Sequence, residues 1–538
     1  MHVGFPEKAL ERYAIILVNK GFKVAIVEQT ETPKQMEERL KSTNKKSGAK
    51  KDEKTIQREL VEVMTKGTYA SINDPEPKYL LSVRIGYDHQ IGICILESTT
   101  NYITVGNIRD DEHLTKFKTL ICQIRPNEIL FDPDNITTVI LKILTTGYLV
   151  PLQSPLPNKQ NKWHSGVAYN YLEKVYGDYN KNNWPENLKW FFEDKENRDV
   201  IFSALGGLFS YLEQVLILDK TINSARYSKY DPKIGLNKAL ILDSQALQHL
   251  EILESNTPIS NGSSSFDGSL LSFVDKTMSF GGKRMLKRWL CAPLLSVEKI
   301  EDRLNAIEDL QKYGFLRDTF RKEIGNLPDL ERLCAKFYQY SIKQTTNAIY
   351  FEDVSSIRLR EFHSLLKQLL KAESLIISFQ DQSKNFTSKR LKNLVNFNKK
   401  DGAVLNNNFN DIYYEDADFS DEEGILPRIN ELINYISSLI VWQGKDKNEP
   451  APQGGILEAY DEQMEEVEVI KKELKEYLVG IKKRFGDYSI EYCHAKYRYE
   501  LEIPERLVKG TKKPEDLEFT SARVFFNDKY LLSKYILY

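Results

Sequence analysis

The hydrophobic period changes once along this chain, and no single motif constrains the fold as much. Residues 79–109 hold three short apolar runs, "YLLSVRIG", "QIGICILES" and "YITVGNI", each bounded by turn formers. They predict an antiparallel meander. "DDEHLTKFKTLICQI" carries acids in its first turn and predicts a helix, and "NEILFD" predicts another strand. After "SALGGLFSYLEQVL" the apolar residues recur at i, i+3 and i+4 through "SQALQHLEILES", "SLLSFVDKTM", "GKRMLKRWL", "VEKIEDRLNAIEDLQKY" and "DLERLCAKFYQYS". That spacing belongs to amphipathic helices. A mixed α/β part therefore precedes a mostly helical one.

The two ends read differently. "LERYAIILVNKGFKVAIVEQT" predicts a helix, a stop at Gly21 and a strand, "KVAIVEQ". No earlier strand is at hand for it to pair with, so the first domain is expected to be very small or to lack its beginning. The lysine-rich run at 41–54 has no periodicity and reads as a solvated loop. Near the other end, "YDEQMEEVEVIKKELKEYLVGIKKRFG" sets Glu and Lys at i, i+4 offsets and predicts a projecting, exposed helix. Strand-like runs at 488–493 and 497–503 follow. "SARVFFNDKYLLSKYILY" predicts the start of a returning helix.

A chain of 538 residues exceeds one core and implies three or more domains. Lys+Arg total 75 against 77 Asp+Glu, so a nucleic-acid partner would need local basic surfaces. Cys94, Cys122, Cys291, Cys334 and Cys493 lack CxxC pairing, which argues against a disulfide framework or a zinc site and suits a reducing compartment. No apolar run approaches the ~20 residues of a membrane span, and charges interrupt the N-terminal apolar positions, so no secretion signal is read there. A soluble, intracellular protein is expected.

Two basic stretches are candidate sites. "SFGGKRMLKRWLCAPL" begins like the end of a phosphate loop, but GxxxxGK[ST] needs glycine where Thr277 stands and Ser or Thr where Arg284 stands. On a helix, Lys283 with Lys287 and Arg284 with Arg288 form adjacent basic strips, with Met285, Leu286, Trp289 and Leu290 opposite. The pattern fits a core helix with a solvated basic face; a nucleic-acid patch is the alternative. The second stretch interleaves Lys496, Arg498, Arg506, Lys509, Lys512 and Lys513 with Tyr497 and Tyr499. It reads equally as phosphate contacts or as ordinary hairpin charge. His494 beside Cys493 falls short of a metal site. The α/β part could hold a ribonuclease-H-like sheet, whose nuclease versions cluster carboxylates on the first strands. Here Glu97 alone ends the central strand, so a non-catalytic relative is expected.

Taken in order, "SLLSFVDKTMSFGGKRMLKRWLCAPLLSVEKIEDRLNAIEDL" and "LPDLERL" resemble the core of the MutS mismatch-repair family. That pattern is a Thr, a Gly, an Arg two residues later, W-L-x-x-P-L, I-x-x-R-L-x-A and L-P-D-L-E-R. Thr277, Gly282, Arg284, Trp289, Leu290, Pro293, Leu294, Ile300, Arg303 and Ala306 fall in register. The family uses this region as a structural lever, so the resemblance makes 279–294 a scaffold helix. "GFPEKALERYAIILVNKGFKVAIVEQTETP" resembles the late part of the mismatch-binding domain, with "VEQTETP" most like the eukaryotic mismatch-contacting branch. "RYELEIPE" resembles the clamp hairpin that touches DNA backbone, and "SARVFFNDKYLL" the start of the helix leading back from it.

The fold implied is multidomain. A mixed α/β N-terminal part (partial mismatch-binding domain 1–70, ribonuclease-H-like connector 71–213) precedes a predominantly α-helical lever (214–453). A helix-hairpin clamp (454–517) and a truncated returning helix (518–538) complete it. The implied partners are mismatched double-stranded DNA and, as a heterodimer, MutS homologue two, in the nucleus. A mismatch bends and unstacks easily, which lets an inserted aromatic kink it. That probe, Phe-x-Glu, would lie upstream of "GFPE", and the ATPase domain would follow the returning helix, so the chain reads as the middle of such a protein. ATP and magnesium serve the full-length family; no cofactor, metal or catalytic residue is expected in this chain. Segments 2–4 and 11–13 match those that lie against the duplex, making Gly4 and Arg12 contact residues, with Arg12 on a phosphate. The clamp contributes Lys496, Arg498, Lys509, Lys512 and Lys513. The contrasting reading is a helical scaffold that binds no DNA, supported by the near-neutral charge.

Overall fold

The computed structural model describes residues 4–6, 9–31, 35–36, 39, 55–69, 76–145, 150–177, 184–185, 188–189, 193–194, 196–230, 240, 242–256, 267–342, 353–397, 424, 426–443, 449–456, 458–492, 501–504, 519–524 and 531–535. They form two compact units, residues 1–437 and 438–538. In the first unit, helix α1 (Leu10–Asn19) ends at a turn where Gly21 takes φ +86°, a conformation that strains any side chain. Strand β1 (Val24–Gln29) follows and pairs antiparallel with β2 (Arg58–Met64). The partner that the sequence did not reveal is thus downstream, beyond the lysine-rich run. Its acids, Glu59 and Glu62, disguise it. Ala14 and Val18 of α1 pack on Val24, Ile26 and Met64 to make a small core. Within "VEQTETP", buried Glu31 accepts from Arg39 Nη2 at 2.8 Å and Nε at 3.0 Å, and from the Gln57 amide at 2.8 Å. It closes the segment that leads into β2.

Next, β3 (Tyr79–Ile85), β4 (Gln90–Glu97) and β5 (Tyr102–Arg109) form the expected antiparallel meander. Helix α2 (Thr115–Ile124) leads to β6 (Glu128–Phe131), which lies parallel to β3. Helix α3 (Thr138–Thr145) leads to β7 (Leu152–Pro155), parallel to β6. After α4 (Ser165–Tyr176), α5 (Arg198–Gln214) and α6 (Leu218–Ser224), β8 (Arg226–Tyr230) joins beside β5. The order is β7-β6-β3-β4-β5-β8, with β4 alone running against the rest. Alternate residues serve two cores. Leu80, Leu96 and Ile103 meet Phe209 and Leu205 on one face, and Leu81, Ile93 and Ile129 meet Phe117 and Ile140 on the other. With both faces covered, β4 must be apolar throughout, which is why "IGICIL" does not alternate.

The helical part runs through α7 (Ser244–His249), α8 (Leu270–Val274), α9 (Phe280–Cys291), α10 (Val297–Lys312), α11 (Gly314–Gly325), α12 (Leu330–Ser341), α13 (Asp353–Ile377), α14 (Lys389–Val395) and α15 (Asn430–Ser438). Asp243, Ser269, Ser279, Ser296, Asp329 and Ser388 are N-caps, each accepting from the amide three residues on. Two carboxylates of α10 hold α14 in place. Asp302 accepts from Ser388 Oγ at 2.8 Å and the Lys389 amide at 2.7 Å; Asp309 accepts from the Thr387 and Ser388 amides at 2.6 and 3.0 Å. Cys291 and Leu247 pack with Cys122 of α2, and Arg125 pairs with Glu254 at 2.5 Å, joining the helices to the sheet. Cys94, Cys122, Cys291 and Cys334 are free thiols. No helix among the described residues is long and apolar enough to cross a membrane.

In the second unit, β9 (Ile440–Gln443) and β10 (Glu449–Pro452) pair antiparallel, followed by the 28-residue helix α16 (Glu458–Phe485). Strands β11 (Glu491–Tyr492), β12 (Leu501–Pro504), β13 (Phe519–Val524) and β14 (Leu531–Tyr535) form an antiparallel sheet in the order β11-β12-β14-β13. The last pair corrects the expected returning helix at 518–538. β-Branched and aromatic residues flank Asn527 and Asp528, a strand-turn-strand pattern that outweighs the helical spacing.

Hydrogen bonds from Arg39 hold Glu31 below the usual carboxylate range, assisted by the Gln57 amide. A depressed carboxylate stabilises the folded state above its unfolded pKa, and that stability is lost as pH falls through the folded value. Acidification below the ordinary carboxylate pKa should therefore speed hydrogen exchange of residues 24–29 and 58–64, relative to intrinsic rates, before the sheet at 79–109, and Glu31→Gln should remove that pH step.

Candidate nucleic-acid interface

Three of the four cations on α9 are held by carboxylates, and Arg288 alone of them is exposed. Arg284 is 5 % exposed and carries a two-pronged bond to Asp329, at 2.6 and 3.0 Å, and a third to Glu331 at 2.6 Å. Burial alone would lower its proton affinity, but the bonds it donates to Asp329 and Glu331 outweigh that and raise it. Arg332, also buried, lies 3.3 Å from Asp329 and donates to the Glu76 carbonyl at 2.9 Å. Lys287 pairs with the Glu76 carboxylate at 3.2 Å, and Lys283 lies 4.0 Å from Asp275. The amphipathic reading is thereby corrected: Arg284 is the most buried of the four cations, while Met285 on the supposed inner side is 42 % exposed. Trp289 lies under the Arg303 guanidinium, 3.8 Å from ring centre to charge centre. The residues that recur in the sequence pattern hold one another.

Glu97 ends β4 buried, and burial first, then the charge of Glu331, pushes its carboxyl above the usual range. Among the described residues no three His, Cys, Asp or Glu gather as a metal site.

The exposed cation with the clearest placing is Arg12. The spacing that puts Ala14 and Val18 inward turns Arg12 and Tyr13 outward, and both are exposed. Arg12 makes no ion pair among the described residues. The Phe5 ring packs tilted against Tyr13 with centroids 4.8 Å apart, which brings the exposed Gly4 segment alongside the first turn of α1. Gly4 and Arg12, eight positions apart in sequence, are both exposed. Lys496, Arg498, Lys509, Lys512 and Lys513 lie outside the described residues. In sequence, the first two fall between β11 and β12, which pair through Glu491 with Glu502 and Tyr492 with Leu501. Local reading missed the burial of Arg284, whose partners stand 45 and 47 positions away.

Residues 1–73 match the model of MutS domain I, and residues 245–513 that of MutS domain III. The chain belongs to the MutS family. It is 30 % identical to the DNA mismatch repair protein Msh6 of Gallus gallus and 30 % identical to that of Homo sapiens, over 97 % of this chain and 40 % of each relative. It is 28 % identical to the DNA mismatch repair protein MutS of Caldanaerobacter subterraneus, over 70 % of this chain. The chain spans about two fifths of the length of the Msh6 relatives it matches.

Removing one member of a buried charge network strands the others. Arg284→Ala should destabilise the first unit by about 3–5 kcal/mol, measured by urea unfolding. Lysine at 284 should restore only part, because it lacks the planar fork.

Proposed function

We propose that this chain supplies the sequence-independent part of duplex binding to a nuclear DNA mismatch repair protein that works as a heterodimer with MutS homologue two. The observation that carries this reading is the exposed Arg12 of α1, with the exposed Gly4 segment held beside that helix by Phe5 against Tyr13, on a module within the part of the chain that matches MutS domain I. Arg12 neutralises a phosphate there, and the Gly4 backbone lies close to the duplex without a side chain between. In the clamp, Lys496, Arg498, Lys509, Lys512 and Lys513 do the same work on backbone phosphates. Contacts of this kind position a protein on DNA but do not read its sequence.

The architecture supports the assignment of parts. Residues 1–70 act as the mismatch-binding segment. In residues 71–213, the order β5-β4-β3-β6-β7 with β4 reversed supports a ribonuclease-H-like connector. The capped helices of 214–453 support a lever, and α16 with β11 and β12 supports a clamp at 454–517.

With about three to five phosphate contacts, log affinity should fall with log salt at a slope of roughly −2.7 to −4.5. Fluorescence anisotropy of the chain with a labelled G·T duplex and its matched twin, across a salt series, tests this. Similar, steeply salt-dependent binding to both is expected, and Arg12→Ala should flatten the slope by about 0.9. Absence of binding to either duplex at low salt would leave a helical scaffold in place of a DNA-binding protein.

A further inference from the structure

Glu128 is the first residue of β6 and is fully buried, yet its carboxylate meets no cation among the described residues; it gathers four neutral donors instead. Oε2 accepts from Thr65 Oγ1 at 2.6 Å and from the Gly67 amide at 2.8 Å. Oε1 accepts from Ser154 Oγ and from Tyr211 Oη, each at 2.5 Å. The division is by origin. Thr65 and Gly67 directly follow β2 of the N-terminal module, whereas Ser154 lies on β7 and Tyr211 on α5 of the sheet body. A carboxylate accepts and cannot donate, so it suits a pocket of four donors better than any neutral side chain of its size.

The surroundings fit that division. A Cβ on Gly67 would lie 2.6 Å from Glu128 Cβ, so only glycine lets the chain come this close. Ser98 Oγ donates to the Gly67 carbonyl. The Val63 amide donates to the Val215 carbonyl at 3.0 Å, and Lys220 pairs with Glu62 at 3.3 Å. Lys23, just before β1, sits 5.2 Å from the centre of the Tyr211 ring. Glu128 is the buried centre of this contact, with one oxygen for each side.

We propose that Glu128 is a positioning residue, whose bridge from Thr65 and Gly67 to Ser154 and Tyr211 fixes the orientation in which the N-terminal module presents Arg12 to duplex DNA. This rests on the reading of α1 given above. The module's own core is small, so its orientation is set by what it rests on. A module free to tilt would offer Arg12 to the phosphate in only a fraction of its orientations, and apparent affinity would fall by that fraction.

Thr65→Val keeps the shape and removes one donor on the module side; Thr65→Ser keeps the hydroxyl; Ser154→Ala removes a donor on the body side. Hydrogen exchange followed by mass spectrometry should show Thr65→Val speeding the amides of 10–29 and 58–64 roughly tenfold, with 79–109 unchanged. Thr65→Ser should match the wild type, and Ser154→Ala should leave the module's exchange as it was. Thr65→Val should also weaken binding to a labelled matched duplex, and should add nothing further once Arg12 is alanine. Equal acceleration in module and sheet, or no acceleration, would overturn the bridge. An affinity loss fully additive with Arg12→Ala would overturn the link to Arg12. A wild-type chain that binds no duplex would sink the reading of α1, while the exchange contrast would still decide whether Glu128 holds the module.

Discussion

The helical part depends on a set of four charges: buried Arg284, Arg332 and Asp329, joined by the half-buried Glu331. Removing ions from water is unfavourable, and the loss is offset only where every charge has its opposite and every donor its acceptor. Here the signs balance. The planar fork of Arg284 fits the Asp329 carboxylate, and Asp329 also caps α12 by accepting from the Arg332 amide. One carboxylate thus ends a loop, starts a helix and neutralises a guanidinium. Glu76 extends the set towards β3 through its carbonyl and its carboxylate. A network of this kind admits few alternative packings, because each would leave a charge buried alone.

This explains why the family pattern is spread over so many positions. Arg284 answers to Asp329 and Glu331 of L-P-D-L-E-R, and Trp289 of W-L-x-x-P-L answers to Arg303 of I-x-x-R-L-x-A. The pattern lists both halves of pairs that meet only in the fold. It describes how the scaffold holds together.

What was legible in the sequence followed the range of the interaction. The meander β3–β5, the strand β6 and the capped helices were visible because period and caps are local properties. Strand β2 was missed because its partner β1 lies across a long polar run and its own outward positions are charged. The segment at 519–535 was taken for a helix because aromatic and aliphatic residues fit either period over so short a run. Arg284 was placed on a solvated face because a helical pattern counts arginine as polar wherever it points. Glu128 drew no notice at all: one acid before "ILF" says nothing about four donors arriving from three other elements. Arg12, by contrast, could be placed from α1 alone, since the apolar positions of that helix fix which side faces out.

The near-neutral composition also takes on a different meaning. Many cations in the first unit are committed to internal carboxylates, so overall charge reports on packing as much as on the surface. A few exposed residues can then carry the whole salt response of the protein.

The free thiols have a consequence for how this molecule can be observed. Burial pushes the thiols of Cys94, Cys122, Cys291 and Cys334 above their ordinary proton affinity, so little of the reactive thiolate exists in the folded state. They sit in separate elements: the central strand β4, then α2, α9 and α12. Buried Cys94 and Cys291 alkylate only when their own surroundings open. Together they are two clocks of local opening, one in the sheet and one in the helical part.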